Sequence, residues 1–357
     1  MKGLILAGGS GTRLRPLTHT GPKQLIPIAN KPNILYCLED LRDAGIKEIG
    51  VILGNNMPEK VKELLGDGSP WGVEITYIVQ GEPRGIAHAV GCAEEFMGQE
   101  PFVVYLGDNI LTGGIKYMAD EFRTSDCEGM VALCPVPNPS SFGIAELDSN
   151  GNIISMVEKP KQPKSNLALI GIYFLRQSVF PIIKGLKPSF RNELEITDAI
   201  DALRKKTGKV KARQVKGWWK DTGKPEDILL ANRLVLETLE GRNEGIIEPG
   251  AEVIGKVSIG KGTVIKQGSV VRGPAIIGKE CSIGPNSYIG PYTAIGDRCV
   301  ILNGEMESSI LVGDSYISCG GKIVDSLIGA GCRITSDPDR LPKGSRYVIG
   351  ENSQLSV

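Results

Sequence analysis

No run of about 18 apolar residues occurs anywhere in the 357-residue chain, which excludes a membrane-spanning helix by length alone. The first residues also lack the basic region, apolar run and small-residue cleavage site of a secretory leader, so a cytoplasmic protein is expected. Charge of either sign is not in excess: 41 basic and 41 acidic residues cancel, and no block of like charge suggests a nucleic-acid or membrane surface. A local cluster can still hold a small anion. Eight cysteines lie scattered without a C-x-x-C pair or the density of a disulfide scaffold, and they read as small buried hydrophobes in a reducing compartment. Histidine is scarcest, with only His19 and His88.

What is present divides into two textures, and the length suits two cores. In the first half, GLILAG (Gly3–Gly8), EIGVIL (Glu48–Leu53), VEITYIV (Val73–Val79) and PFVVYLGDN (Pro101–Asn109) read as strands buried on both faces. ILYCLEDLRDAG, from Ile34, carries apolar residues at helical spacing and ends at Gly45. Such alternation predicts crossover units over a mostly parallel α/β sheet. Ligands of these sheets sit at the carboxyl ends of the strands, which puts GGSGTR (Gly8–Arg13) and LGDN on one rim.

From about Gly245 a different period takes over. Val253, Ile259, Ile265, Val271, Ile277, Ile283, Ile289, Ile295 and Ile301 recur at intervals of six, each preceded two positions earlier by a modest side chain, from Ala251 through Cys281 to Cys299. Neither a helix nor an isolated strand repeats at six, whereas a hexapeptide β-helix does, with three hexads to the turn and small residues in a narrow prism. The period falters at NGEMESS from Asn303 and partly resumes at Ile317, Ile323, Ile328 and Ile334. The less patterned residues up to Val357 are expected to cap the stack, and Glu237–Gly245 is the expected boundary.

GGSGTR fits neither the Walker spacing nor G-x-G-x-x-G. A glycine turn is also simply how strands end. Here, however, Gly8, Gly9 and Gly11 let backbone N–H groups approach a ligand, Ser10 and Thr12 add hydroxyls, and Arg13 adds a planar fork for phosphate oxygens. PKQLIPI then brings a second cation, Lys23, and two cations beside an anion nest suit a polyphosphate. Asp108 follows a strongly apolar strand and Asp221 follows two tryptophans. Capping explains each alone, while together they suit Mg²⁺, which binds through one or two carboxylates plus substrate phosphates. Glu158 and Lys159 end an apolar run and on their own read as a solvated edge.

Taken together, GGSGTRL-x-PLT, PKQLIPI, LGDN, VEKP, ELEITD and DTG resemble the sugar-1-phosphate nucleotidyltransferases, and within them the long-type glucose-1-phosphate thymidylyltransferases. The likeness runs from Met1 to about Glu240 and extends into the repeat tail. It implies a Rossmann-like, mixed-sheet α/β nucleotidyltransferase domain over 1–240 and a left-handed hexapeptide β-helix over 245–357. The implied reaction joins dTTP and glucose 1-phosphate into dTDP-glucose and pyrophosphate. By the same resemblance Gly8, Gly9, Ser10, Gly11 and Thr12 wrap the triphosphate, and Arg13 and Lys23 neutralise it. Gln80 and Gly85 meet the pyrimidine edge, Asp108 and Asp221 hold Mg²⁺, Gly143 and Glu158 contact the sugar, and Lys159 grips the sugar phosphate. Thymine and uracil differ by one methyl, worth about 1–3 kcal/mol in an apolar pocket, so UTP stands as the alternative nucleotide. Galactose and N-acetylglucosamine 1-phosphates stand as alternative sugars.

Hexapeptide coils also occur in acyltransferases, which need a histidine base. None follows residue 88, so the coil is expected to serve self-association in a homo-oligomer rather than a second reaction. A non-catalytic scaffold subunit would have lost Arg13, Lys23, Asp108, Lys159 or Asp221, and all five are present.

Overall fold

The computed structural model describes residues 1–336 and 350–356. They form two compact units interleaved along the chain: one takes Met1–Thr12, Thr20–Leu25 and Asn33–Asp221, the other Arg13–His19, Ile26–Pro32 and Thr222–Val357.

In the first unit the apolar runs become strands β1 (Lys2–Ala7), β2 (Glu48–Leu53), β3 (Glu74–Val79), β4 (Phe102–Leu106), β5 (Asn109–Leu111), β6 (Gly129–Pro135), β7 (Gly143–Leu147), β8 (Ile153–Glu158), β9 (Leu167–Leu175), β10 (Val210–Gln214) and β11 (Trp219–Asp221). The main sheet runs β8-β7-β9-β4-β1-β2-β3, with β6 also on β9 and β10 on β6; β5 and β11 form a separate two-stranded ladder. Strands β4, β1, β2 and β3 are parallel, whereas β9 opposes β4, so the sheet is mixed.

The central strands alternate their side chains between two cores. Ile5, Val103 and Tyr105 pack on one face with Ile34, Leu38 and Leu41 of helix α1 (Asn33–Asp43). Leu4, Leu6, Phe102 and Val104 pack on the other with Ala87 and Val90 of α2 (Ile86–Gly91) and Ile200 and Leu203 of α3 (Ile196–Thr207). Helix α1 ends as its spacing predicts: Gly45, at φ +75°, donates to Arg42 O while Ile46 N–H reaches back to Leu41 O. One expectation needs correction. VEITYIV is not buried on both faces, because β3 is the sheet's edge and leaves Val79 68% exposed. Apolar content does not distinguish an edge from a centre when the register is unknown.

The second unit is a left-handed β-helix of three parallel sheets with six, six and five strands. Val271 pairs with Ile289, an eighteen-residue coil, and Ile259, Ile265, Ile277, Ile283, Ile295 and Ile301 are buried as the period requires. At the faltering segment the coil shortens. Met306 takes the inward place opposite Ile289, and Leu311 that opposite Ile295. The small residues at the corners do more than fit. Thr263 Oγ1 donates to Gly278 O at 2.6 Å and accepts Cys281 N–H from the next coil at 2.9 Å, and Ser269 and Ser315 accept Ser287 and Cys332 N–H in the same way. A hydroxyl therefore satisfies a buried corner N–H that the strand ladders miss. The same unit holds α4 (Pro225–Glu237), whose buried Asn232 accepts from Ala29 N–H and donates to Tyr292 O, both at 2.9 Å. The expected terminal cap falls largely on residues 337–349 and 357, outside the described residues. No cysteine of the described residues is in a disulfide, and Cys37, Cys127, Cys281 and Cys299 are buried.

Two substitutions test this account of the coil by urea unfolding. Ile283→Ala should lower stability by about 2–5 kcal/mol through lost packing. Thr263→Val, which keeps the volume, should still cost about 1–3 kcal/mol because Cys281 N–H loses its acceptor; an unchanged midpoint for the valine variant would show that the corner hydroxyls are incidental.

Candidate active site

Strands β1 and β4 end side by side, in the register Leu6 to Leu106, with Gly107 N–H bonded to Leu6 O at 3.0 Å. Their carboxyl ends therefore carry the glycine loop and the LGDN turn together. Gly8 and Gly9 let two side chains close on the loop: a Cβ on Gly8 would lie 2.8 Å from Gln80 Oε1, and one on Gly9 3.1 Å from Lys23 Cε. Ser10 is exposed beyond them, Gly11 turns at φ +62°, and Thr12 begins a 3₁₀ turn with Arg13, which is exposed and belongs to the second compact unit.

Lys23 opens another 3₁₀ turn and is ion-paired with Asp108, both largely buried. Beside them Gln24 is 1% exposed and packed against Gly107, and among the described residues its Oε1 has no hydrogen-bond partner. The β5–β11 ladder sets Asp221 opposite Asn109, so the second carboxylate arrives one residue from Asp108. Asn109 anchors this corner, because its Nδ2 donates to Ile170 O at 2.7 Å from within the core. Carboxylates of Asp108 and Asp221 with the unpaired Gln24 oxygen are an all-oxygen donor set, as a hard divalent cation prefers. Among the described residues no cluster of three or more His, Cys, Asp or Glu side chains has metal-binding proximity.

A second group forms where β7 and β8 pair Gly143 with Glu158. Thr197 donates to Glu158 Oε2 at 2.7 Å, and a Cβ on Gly143 would come within 2.9 Å of that same oxygen. Lys159 follows at φ +42°, held by its N–H on Phe142 O at 3.0 Å. Phe142 meets Trp219 edge to face at 5.6 Å, which braces this group against the carboxylate ladder. Arg191 reaches Glu193, Glu195 and Glu158 at 2.9, 3.3 and 3.6 Å. Burial pushes the Glu195 carboxyl up, the Glu158 charge adds to this, and Ser189 and Arg191 oppose it.

The third group is formed by Gln80, whose Nε2 lies 3.3 Å from Gly85 O and 3.3 Å from His88 Nδ1. Burial, followed by the Arg84 charge, lowers the His88 pKa, so the ring is neutral near pH 7.

Gly8, Gly9, Lys23, Asp108 and Asp221 thus gather at one corner of the first unit, Gly143 and Glu158 in a polar cup, and Gln80 beside the glycine loop, while Arg13 belongs to the other unit. Sequence reasoning missed Gln24 and Arg191. Both stand beside quoted motifs, Gln24 inside PKQLIPI and Arg191 two residues before ELEITD, but nothing in their residue types marked them.

Residues 2–238 match the family described as Nucleotidyl transferase. The chain belongs to this family. Along its whole length this nucleotidyl transferase is 52% identical to the low-salt glycan biosynthesis nucleotidyltransferase Agl11 of Haloferax volcanii, covering all of both chains. It is 44% identical to a glucose-1-phosphate thymidylyltransferase of Streptomyces antibioticus, over 100% of this chain and 99% of that one. A crystal structure of a putative glucose-1-phosphate thymidylyltransferase from Bacillus anthracis in complex with a sucrose superposes with a TM-score of 0.63 at 40% identity, covering 68% of this chain and 98% of that one. The protein is a sugar-1-phosphate nucleotidyltransferase. Among the described residues no helix is long and apolar enough to cross a membrane.

Asn109→Ala checks whether the carboxylate corner depends on its anchor. Losing the amide on the Ile170 carbonyl should cost about 1–3 kcal/mol in thermal or urea unfolding. Nucleotidyl transfer should fall with it in kcat, since Asp108 and the partner of Asp221 share that backbone; a destabilised protein with unchanged kcat would uncouple the two.

Proposed function

We propose that the protein is a glucose-1-phosphate thymidylyltransferase, joining dTTP and glucose 1-phosphate into dTDP-glucose and pyrophosphate. The observation that carries this reading is the buried Lys23–Asp108 pair beside the glycine loop, with Asp221 brought to the same corner. The relative of Streptomyces antibioticus bearing that name aligns from end to end. Residues 1–240 would carry the chemistry and 245–357 the repeat coil, which suits self-association.

A sugar phosphate is already an anion near neutral pH, so it needs no strong base to attack the α-phosphorus. The task is to align two mutually repelling anions and to stabilise the charge that moves onto pyrophosphate. Gly8, Gly9, Ser10, Gly11 and Thr12 would hold the triphosphate through N–H and hydroxyl groups. Arg13 and Lys23 would balance its charge. Lys159, the residue after Glu158, and Arg191, which lies 3.6 Å from the Glu158 carboxylate, would hold the sugar phosphate, while Glu158 and the Gly143 backbone would meet the sugar hydroxyls. Gln80 Oε1 and the Gly85 backbone would read the base. Asp108 and Asp221 would hold Mg²⁺, which when bound would supply charge neutralisation of the reacting phosphates.

Pyrophosphate release is the direct test, with dTTP, UTP, ATP and GTP each set against glucose, galactose, mannose and N-acetylglucosamine 1-phosphates in Mg²⁺. dTTP with glucose 1-phosphate should be fastest, and Asp108→Asn and Lys23→Ala should each lower kcat by about a hundredfold or more. A preference for UTP would reassign the nucleotide and keep the site, whereas silence with every pair would overturn the reading.

A further inference from the structure

The base-reading amide has a neighbour that no role has yet been given. We propose that His88 is a positioning residue that holds the Gln80 amide with its oxygen toward the base, and so favours a pyrimidine with hydrogen on N3 (uracil or thymine) over cytosine. The proposal rests on the reading of Gln80 as the base contact.

An amide shows an oxygen on one side and an NH2 on the other, and a half-turn about its last bond exchanges them. Here the NH2 faces two groups, Gly85 O and His88 Nδ1, each at 3.3 Å. The oxygen faces the glycine loop, 2.8 Å from where a Cβ on Gly8 would stand. On the far side of the imidazole, Arg84 Nη2 lies 3.1 Å from His88 Nε2.

These contacts cannot all be satisfied together by a neutral ring. Arginine only donates, so bonding Arg84 requires Nε2 bare and the proton on Nδ1, where it would meet the Gln80 NH2 head on. Two consistent arrangements remain. In the first, Nδ1 accepts from Gln80, Gly85 O takes the other N–H, and the exposed Arg84 exchanges its bond for water. In the second, the amide turns over, its oxygen takes the Nδ1 proton, and that oxygen comes against Gly85 O. The first arrangement sacrifices one exposed contact; the second sets two oxygens against each other in a half-buried place. Half-buried bonds outweigh an exposed one, so the first prevails.

Its consequence is a fixed hydrogen-bond code. Gln80 presents an acceptor, and Gly85, with only backbone groups, supplies an N–H donor. A uracil edge offers N3–H and O4 to this pair, whereas cytosine offers a bare N3 and an amino group. Turning the Gln80 amide would erase the distinction at N3.

Equilibrium binding of dUTP and dCTP to the full chain, measured calorimetrically in Mg²⁺, tests this with two bases that differ only at N3 and position 4. The wild type should favour dUTP. His88→Leu should narrow the ratio of dissociation constants about fivefold, the scale of one lost hydrogen bond. His88→Asn, whose side-chain oxygen stands where Nδ1 stood and accepts as it did, should keep the ratio within twofold. A ratio within one variant does not depend on how much of it is folded. If Gln80→Leu collapses the ratio while His88→Leu leaves it within twofold, His88 has no part and the base reading stands. Loss of the ratio in both His88 variants also overturns the proposal, because the acceptor would not be what matters. If Gln80→Leu leaves the ratio unmoved, the base reading itself fails and this inference with it.

Discussion

Two parallel strands that end at the same height are what the site depends on. Because β1 and β4 are hydrogen-bonded neighbours in the register Leu6 to Leu106, the glycine loop and Asp108 emerge side by side. Lys23 can then pair with a carboxylate 85 residues away in sequence. The largely buried charge of that carboxylate is tolerable only because a cation answers it. The remaining parts attach to this pair. Asp221 arrives through the β5–β11 ladder, Trp219 of the same strand braces Phe142, and Phe142 stands next to Gly143 in the cup around Glu158.

The fold was largely legible before any coordinates, for reasons that differ between the halves. In the coil, each inward Ile or Val answers to a strict geometric period, so the sequence has little freedom to disguise it. That legibility ended where the coil shortened, because Met306 and Leu311 obey the stacking register rather than the spacing of six. In the sheet, both faces of the central strands are buried, so apolar runs mark them, but the same runs cannot tell edge from centre, and β3 was misjudged for that reason. The order of strands was not readable at all, since pairing is a long-range property.

Site residues followed the same rule. Asp108 stood out because a carboxylate just past an apolar strand has no packing use, and Lys23 because it brings a second cation soon after the glycine loop. Gln24 and Arg191 did not, since an uncharged amide among prolines and an arginine beside glutamates look like ordinary surface. Their significance lies in what surrounds them: the Gln24 oxygen is buried with no partner among the described residues, and Arg191 lies among three carboxylates. Neither fact exists until the chain is folded.

The interleaving of the two units bears on how the protein is made. Segments Arg13–His19 and Ile26–Pro32 leave the ribosome well before Thr222–Val357, yet the three make up one unit. Asn30 illustrates the delay, for its Nδ2 donates to the carbonyl of Ile295, at 2.6 Å. At a synthesis rate of about 5–20 residues per second, the segments flanking Lys23 wait on the order of 13–50 s for their partners. During that interval the strands of the sheet can already be paired while the two segments on either side of Lys23 still lack the rest of their own unit. A nascent chain would therefore gain its sheet well before its second unit is complete.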